Sequence, residues 1–295
     1  MLQRLRRIRE SARLRRNRIR YHFFFKRTPL AGEYCNSKLI RLDKQPPPGI
    51  GERPYLVIVR CGGRHELIND CGERNFDIAL NLYSAKEEAS LGEYEYVFTG
   101  GISKFRAAYQ FINEELLDRY VGFMFLDDDL KITHSQLNMF LAYCTTHGFG
   151  LAQPSLTRDS SCCYAYLVNA SQHGWRQVPM VEVMCPYFSS SALREALFTF
   201  PLSDSSWGLD LIWPRLPTFA PVVVDEFAIA HVRPVGAGAF YEYMRSIGVS
   251  PRQEMIALRG ISEEILLVAR ARHRFVRSGD WTNSRQPRTS VSGQP

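Results

Sequence analysis

Residues 121–129 read VGFMFLDDD, an apolar run that ends in three aspartates. A run of this kind, without polar interruption, is typical of a strand buried on both faces of a parallel sheet. Asp127, Asp128 and Asp129 would then lie at the carboxyl end of the strand, the edge where open α/β sheets bind their ligands. This stretch therefore predicts both the fold class and the place of the site.

Neighbouring segments continue the alternation of strand and helix. Short apolar or β-branched runs at 55–59, 76–80 and 94–98 predict three further strands. Apolar residues at helical spacing between 103 and 117 predict a helix. The pattern indicates an α/β domain with a Rossmann-type, mostly parallel central sheet flanked by helices.

The second half of the chain is less regular. Strand-like runs occur at 163–168, 178–184 and 222–229, and a final helix is expected over 262–274. Glycine and proline are frequent between these runs. This composition predicts a smaller, substrate-facing subdomain with long loops.

Basic residues are concentrated at the N-terminus. Residues 1–27 hold ten arginines and one lysine against one acid, whereas the remaining chain has 26 basic and 29 acidic residues. A stretch rich in proline and glycine follows at 44–54, and the last residues are rich in Ser, Gln, Thr and Pro. We therefore predict a basic arm and linker over 1–45, a folded domain over 46–277 and a disordered tail over 278–295.

The basic arm predicts contact with an anionic surface, either membrane lipid or nucleic acid. The body is mildly acidic, which disfavours nucleic acid because such binders carry basic residues on the folded surface as well. No stretch reaches the roughly 20 apolar residues that span a bilayer, and no secretory signal pattern is present. Seven cysteines without a CxxC pair are typical of reduced thiols. We expect a cytoplasmic protein that could attach peripherally to the inner face of the membrane.

The aspartate run is a candidate metal site. Three adjacent carboxylates repel one another unless a positive charge compensates them. Mn²⁺ or Mg²⁺ takes oxygen ligands of this kind and shares them with substrate phosphates. Alternate strand residues turn to the same side, so Asp127 and Asp129 can share one ion while Asp128 faces elsewhere. A solvated acidic turn or a helix cap is the alternative interpretation.

Three further polar residues stand out from apolar or aromatic surroundings. His231 ends an apolar run and, as a neutral imidazole, could complete a metal's coordination; a satisfied polar side chain is the alternative. Asp210 follows Trp207, which predicts a base beside an aromatic wall. Glu182 lies within an apolar run, where a carboxylate needs either an ion pair or a substrate contact.

The motifs occur in a distinctive order. They are VRCGG at 59–63, FLDDDL at 125–130, AQPSL at 152–156, VEVMCPYFSSSAL at 181–193, WGLDL at 207–211 and VVVDEFAIAHVRP at 222–234. Over about residues 54–235 this order resembles a plant and bacterial family, catalogued as a domain of unknown function and related to GT-A glycosyltransferases. The central acid of the family motif is mixed Asp or Glu, and here it is Asp128. The resemblance implies a GT-A-like fold with a smaller acceptor-side subdomain.

The resemblance, with the candidates above, implies roles for individual residues. The predicted donor-binding residues are Arg60, Gly62, Gly63, Asp127, Asp128 and Trp207. Asp127, Asp129 and His231 would hold the metal, and Asp210 would deprotonate the acceptor. The possible further substrate contacts are Glu182 and Lys104. Lys104, Arg106 or Arg233 could assist a diphosphate, and a surface charge is the alternative interpretation of each.

The sequence thus predicts a metal-dependent glycosyltransferase that uses Mn²⁺ or Mg²⁺ and a nucleotide-sugar donor, UDP- or GDP-linked. The acceptor would be a glycan or a lipid-linked molecule, and an aspartate base favours inversion. One alternative is a non-catalytic nucleotide-sugar- or carbohydrate-binding protein of the same fold. Another is a metal-dependent phosphoryl-transfer enzyme, although no GxxxxGK[ST] phosphate loop is present.

Overall fold

The computed structural model describes residues 41–44, 53–62, 65–82, 94–170, 173–217 and 219–261, with helical positions at 263–264, 266–267 and 269–270. The strands are β1 (Arg41–Lys44), β2 (Tyr55–Cys61), β3 (Leu67–Ile68), β4 (Phe76–Leu82), β5 (Tyr96–Thr99), β6 (Gly122–Asp127), β7 (Leu130–Thr133), β8 (Leu151–Leu156), β9 (Arg176–Gln177), β10 (Tyr187–Ser189) and β11 (Val222–His231). The helices are α1 (Lys104–Phe111), α2 (Glu114–Arg119), α3 (His134–Thr146), α4 (Ser190–Ala196), α5 (Ala239–Ser246) and α6 (Pro251–Arg259). Short 3₁₀ segments lie at Ala165–Leu167, Leu197–Leu202 and Trp213–Arg215.

These strands form a sheet in the order β1-β5-β4-β2-β6-β10-β8-β11-β7-β3, with β9 beside β11. At its centre β5, β4, β2 and β6 are all parallel. Strand β10 runs antiparallel between β6 and β8, and β8 is parallel to β11. The predicted α/β fold with a mostly parallel central sheet is confirmed, and the strands expected from the long apolar runs are present with small shifts at their ends.

Both faces of the sheet are covered. Strands β2 and β4 are buried along their whole length. On β10, Tyr187 packs against Phe140 of α3, whereas the next residue, Phe188, packs against Trp213. Because adjacent strand residues point to opposite faces, helical segments flank the sheet on both sides, as a parallel sheet requires.

The helix predicted between 103 and 117 is two helices. Helix α1 ends at Phe111 and α2 begins after Asn113, whose side chain accepts a hydrogen bond from the backbone N–H of Leu116. Asparagine is a preferred N-cap because its side chain satisfies an N–H that the helix itself leaves unpaired. Apolar spacing alone did not reveal this break.

The strands predicted at 163–168 and 178–184 are wrong. In the first segment, Arg176 donates hydrogen bonds to the carbonyl oxygens of Tyr166 and Val168, at 2.5 and 2.7 Å, and the backbone forms a 3₁₀ turn. The second segment follows an irregular path before β10. It contains Pro179, and Pro186 lies two residues beyond it; proline has no N–H to donate to a sheet.

One described segment near the N-terminus, 41–44, belongs to the sheet although it lies within the predicted arm and linker. Strand β1 pairs antiparallel with β5, so part of the predicted arm and linker contributes to the sheet. The predicted arm at 1–27, the tail, and part of the final helix lie outside the described residues. Within the described ranges, no helix is both long and apolar enough to cross a bilayer.

Asp225 on β11 ties the irregular segment to the sheet, which generates a stability prediction. Its side chain is fully buried, pairs with Arg176 at 2.7 Å and accepts a hydrogen bond from the backbone N–H of Ala170. Asp225→Asn removes the charge that compensates a mostly buried guanidinium, so we expect the free energy of unfolding to fall by about 3 kcal/mol in urea denaturation. Glu114→Gln breaks an exposed ion pair with Arg194 and should cost less than about 1 kcal/mol. Equal losses in the two variants would contradict the prediction.

Candidate active site

The aspartate run lies at the carboxyl end of β6, where the strand order reverses. From β2 the sheet extends to β4 and β5 on one side, and β6 lies on the other. Ligands of open α/β sheets bind at such a reversal. Arg60 near the end of β2 is the register partner of Asp127, so two motifs predicted to bind a donor lie side by side.

One cavity at this edge brings most of the predicted site residues together. Those that line it are Arg60, Lys104, Asp127, Asp128, Asp129, Glu182, Trp207, Asp210 and His231. Gly62 follows β2 but does not line the cavity, and Gly63 lies outside the described residues. Segments separated by up to about half the chain therefore meet at one place.

Lys104 neutralises the first aspartate. It is buried at the start of α1, and its Nζ donates to Asp127 Oδ1 at 2.7 Å and to the Met184 carbonyl oxygen at 2.9 Å. Burial raises the pKa of Asp127, and the charge of Lys104 opposes that rise. Since a lysine shielded from water depends on its partners, this contact orients the Asp127 carboxylate.

Arg233 and His231, at the end of β11, compensate the other two aspartates. Arg233 Nη2 donates to Asp128 Oδ1 at 2.6 Å, and His231 Nε2 lies 3.2 Å from Asp129 Oδ2. Burial by itself would raise the pKa of Asp129, but the hydrogen bond and charge of His231 bring it below its usual value. Burial would lower the pKa of His231, and the contact with Asp129 raises it instead.

The second ring nitrogen of His231 sets its tautomer. Nδ1 lies 2.5 Å from the carbonyl oxygen of Ser161, which can only accept, so Nδ1 carries a hydrogen. In a neutral ring, Nε2 therefore has a lone pair that faces the carboxylate of Asp129. Because both atoms are then hydrogen-bond acceptors, a proton or a metal ion between them is needed for a favourable contact. Asp129 Oδ1 is also buried without a hydrogen-bond partner in the described residues. These oxygen and imidazole donors fit Mn²⁺ or Mg²⁺.

Asp127 is held differently from the other two predicted metal ligands. Among the described residues, no group of three or more His, Cys, Asp or Glu side chains is arranged to hold a metal ion. Asp129 and His231 are in contact, but Asp127 pairs with Lys104. A metal shared by all three would require the Asp127 carboxylate to turn from Lys104.

Two further carboxyl groups face the cavity and form no ion pair within the described part of the chain. Asp210 is 9% exposed and Glu182 is 5% exposed. Burial raises the pKa of Asp210 to about 7, and the nearby charge of Glu182 adds to the shift. Burial also raises the pKa of Glu182, opposed by the backbone N–H of Cys163, which donates to its Oε1 at 3.3 Å.

Asp210 ends a loop, 203–210, that Glu254 of α6 holds in place. Glu254 accepts four hydrogen bonds from this loop. The donors are the Ser203 hydroxyl at 3.0 Å, the Asp204 N–H at 2.8 Å, the Ser205 N–H at 2.8 Å and the Ser205 hydroxyl at 2.5 Å. This role could not be predicted from the sequence, because an acid in the first turn of a helix is common for its interaction with the helix dipole.

The same loop has two residues with left-handed backbone, Ser206 with φ of 72° and Gly208 with φ of 88°. A Cβ at 208 would lie 2.9 Å from the backbone Cα of Met255, so this position requires glycine. Between them, Trp207 donates from Nε1 to the Tyr241 hydroxyl at 3.3 Å. The turn thus presents Trp207 as one wall of the cavity, as predicted from the sequence, while Tyr241 was not anticipated.

Arg60 and Arg106 act mainly within the protein. Arg60 Nη1 donates to Asn81 Oδ1 at 2.5 Å, and Nη2 donates to the carbonyl oxygens of Gly101 and Ile102, each at 3.1 Å. This anchors the turn that precedes α1 and Lys104. Arg106 is buried and pairs with Asp204 at 2.6 Å, a contact that steadies the loop carrying Asp210 and directs its guanidinium away from a diphosphate role.

Comparisons with known proteins were made on both sequence and structure. No protein-family model matches the sequence, and no curated protein matches it. Among solved structures, S. aureus TarS 1–349 in complex with UDP-GlcNAc is 13% identical, with 69% of this chain and 70% of that chain covered and a TM-score of 0.43. The longer S. aureus TarS structure is 15% identical, with 79% and 46% covered and a TM-score of 0.44. Mannosyltransferase PcManGT from Pyrobaculum calidifontis, in complex with GDP-Man and Mn²⁺, is 10% identical, with 91% and 93% covered and a TM-score of 0.40. Similarity at this level assigns neither an activity nor a substrate to this chain.

The hold of Glu254 on the Asp210 loop predicts a stability effect. Glu254→Gln replaces one accepting oxygen by an NH₂ group that faces other donors, so buried N–H groups lose their partner. We expect the free energy of unfolding to fall by about 1–3 kcal/mol in urea denaturation. Glu242→Gln on the exposed side of α5 is the matched control and should change it by less than about 0.5 kcal/mol. A wild-type value for Glu254→Gln would mean that the loop does not depend on this side chain.

Proposed function

We propose that this chain is a metal-dependent glycosyltransferase of the GT-A type, which moves a sugar from a nucleotide-sugar donor to a glycan or lipid-linked acceptor. The observation that carries the proposal is the set of carboxyl groups that line one cavity. Asp127, Asp128 and Asp129 contact Lys104, Arg233 and His231 respectively, whereas Asp210 of the same cavity forms no ion pair in the described residues. Such a site can bind a charged diphosphate and hold a base for a neutral acceptor.

On the donor side, Asp127, Asp129 and His231 would hold Mn²⁺ or Mg²⁺. The bound ion would stabilise the charge on the departing diphosphate as a Lewis acid. Lys104 donates to Asp127 and Arg233 donates to Asp128, so both cations lie beside the aspartate run and can donate to diphosphate oxygens when a donor is bound. The anchored turn before α1 keeps Lys104 in position.

On the acceptor side, Asp210 would remove the proton from the acceptor hydroxyl as its oxygen attacks the anomeric carbon. Burial supports this role because it brings the pKa of Asp210 to about 7, and a base is most effective when its pKa is near the working pH. An aspartate base on the acceptor favours inversion of the anomeric configuration.

Two alternatives lead to different outcomes in the same assays. A non-catalytic member of the fold would bind a nucleotide sugar without transferring the sugar. A metal-dependent phosphoryl-transfer enzyme would use the aspartates equally well, but it leaves the buried Glu182 and Asp210 of the same cavity without a role. The geometry therefore favours sugar transfer.

The donor site predicts metal-dependent binding. In calorimetric titrations with a panel of nucleotide sugars, we expect one donor to bind the wild type in the presence of Mn²⁺. Asp129→Asn should weaken that binding by about tenfold or more, because it removes a charged oxygen ligand. Asp118→Asn, which changes an exposed acid on α2, should bind like wild type. A folded wild type that binds no donor would remove the glycosyltransferase proposal.

The acceptor base predicts a pH dependence and a separation of binding from turnover. Only the carboxylate form accepts a proton, so the transfer rate should rise with pH through about 7, the raised pKa of Asp210, and level off above it. Asp210→Asn should lower the rate by about 10²- to 10⁴-fold and leave donor affinity unchanged. Lost donor affinity in this variant would instead assign Asp210 to the donor site.

A further inference from the structure

Two side chains that line the cavity each contain a buried polar atom that has no hydrogen-bond partner in the described residues. They are Glu182 Oε2 and Ser206 Oγ. Both side chains line the cavity, and they are 5% and 6% exposed. A buried polar group without a partner destabilises the fold, so each such group needs an explanation.

The contrast between Ser206 and its neighbour is informative. Ser205 donates hydrogen bonds from both its N–H and its hydroxyl to Glu254 of α6. The hydroxyl of this serine therefore has a partner within the protein. Ser206 adopts a left-handed backbone, with φ of 72°, that non-glycine residues rarely adopt. Strain of this kind is retained at sites where a side chain contacts a ligand.

The carboxyl groups of Glu182 and Asp210 limit what can bind beside them. Both are buried and form no ion pair in the described part of the chain. When either is ionised, a phosphate or carboxylate group of a ligand beside it would meet repulsion that burial strengthens. A neutral ligand with several hydroxyl groups would instead donate hydrogen bonds to these acceptors, with Trp207 as an apolar wall.

We propose that Glu182 and Ser206 bind hydroxyl groups of a neutral sugar, placing another of its hydroxyls beside Asp210. The acceptor is then a carbohydrate with several free hydroxyls at the reacting end, rather than a simple lipid alcohol or an acidic sugar. This inference rests on the proposed function, because it names the chemical class of the acceptor that binds in the same cavity. Glu182 accepts a hydrogen bond from one hydroxyl, and Ser206 donates to or accepts from another.

The test is direct binding of simple sugars to the full chain. Methyl glycosides of glucose, galactose and mannose are titrated and compared with methyl glucuronide, and nucleotide-sugar binding is measured on the same preparations. We expect at least one neutral glycoside to bind, and the acidic glycoside to bind about tenfold more weakly or worse. Glu182→Gln and Ser206→Ala should each weaken the neutral glycoside by about tenfold, whereas Ser191→Ala, on α4, should not.

Stability measurements on the neighbouring serines separate ligand binding from a structural role. Ser206→Ala removes a hydroxyl that has no hydrogen-bond partner among the described residues, so its melting temperature should not fall. Ser205→Ala removes a hydroxyl bound to Glu254 and should melt at a lower temperature. A clear loss of stability in Ser206→Ala would identify a structural contact and overturn the proposal for that residue.

The remaining outcomes distinguish this inference from the proposed function. If no neutral glycoside binds, if the glucuronide binds equally well, or if either substitution leaves the affinity unchanged, the inference is overturned, whether or not nucleotide sugars bind. If a neutral glycoside binds through Glu182 and Ser206 while no nucleotide sugar binds, the sugar site stands and the transferase proposal fails.

Discussion

Three consecutive carboxylates at the end of a buried strand repel one another, and much of the site is built to compensate that repulsion. The compensating charges come from separate parts of the chain, Lys104 at the start of α1 and His231 and Arg233 at the end of β11. Since these contacts are at least partly shielded from water, they are stronger than surface ion pairs. The β6 edge, α1 and β11 are therefore joined at one point, and the cavity opens there.

The carboxyl groups that line the cavity are compensated in two different ways. Asp127, Asp128 and Asp129 each contact a basic side chain. Asp210 and Glu182 form no ion pair in the described residues, and burial raises the pKa of both carboxyl groups. The proposed function uses this difference, because it assigns the first group to a donor and the second to an acceptor.

The positions of these groups also depend on hydrogen bonds made by other residues. Arg60 fixes the turn before α1, Glu254 fixes the loop that ends at Asp210, and Ser161 fixes the tautomer of His231. Each acts through hydrogen bonds between a charged or ring group and the backbone or a side chain. Such supporting contacts hold site residues in one orientation.

The sequence alone determined the central sheet, because uninterrupted apolar runs such as 55–59 and 121–126 can be buried only between two covering layers. It also indicated the acidic edge, since an Asp run after such a strand must lie at its carboxyl end. Tertiary structure decided what local pattern could not encode: Arg176 holds the segment predicted as a strand at 163–168 in a turn, and Arg60 anchors the turn before α1. Glu254 has no local signature at all. In each case a side chain outside the segment supplies hydrogen-bond partners to the backbone, and only the folded chain brings the two together.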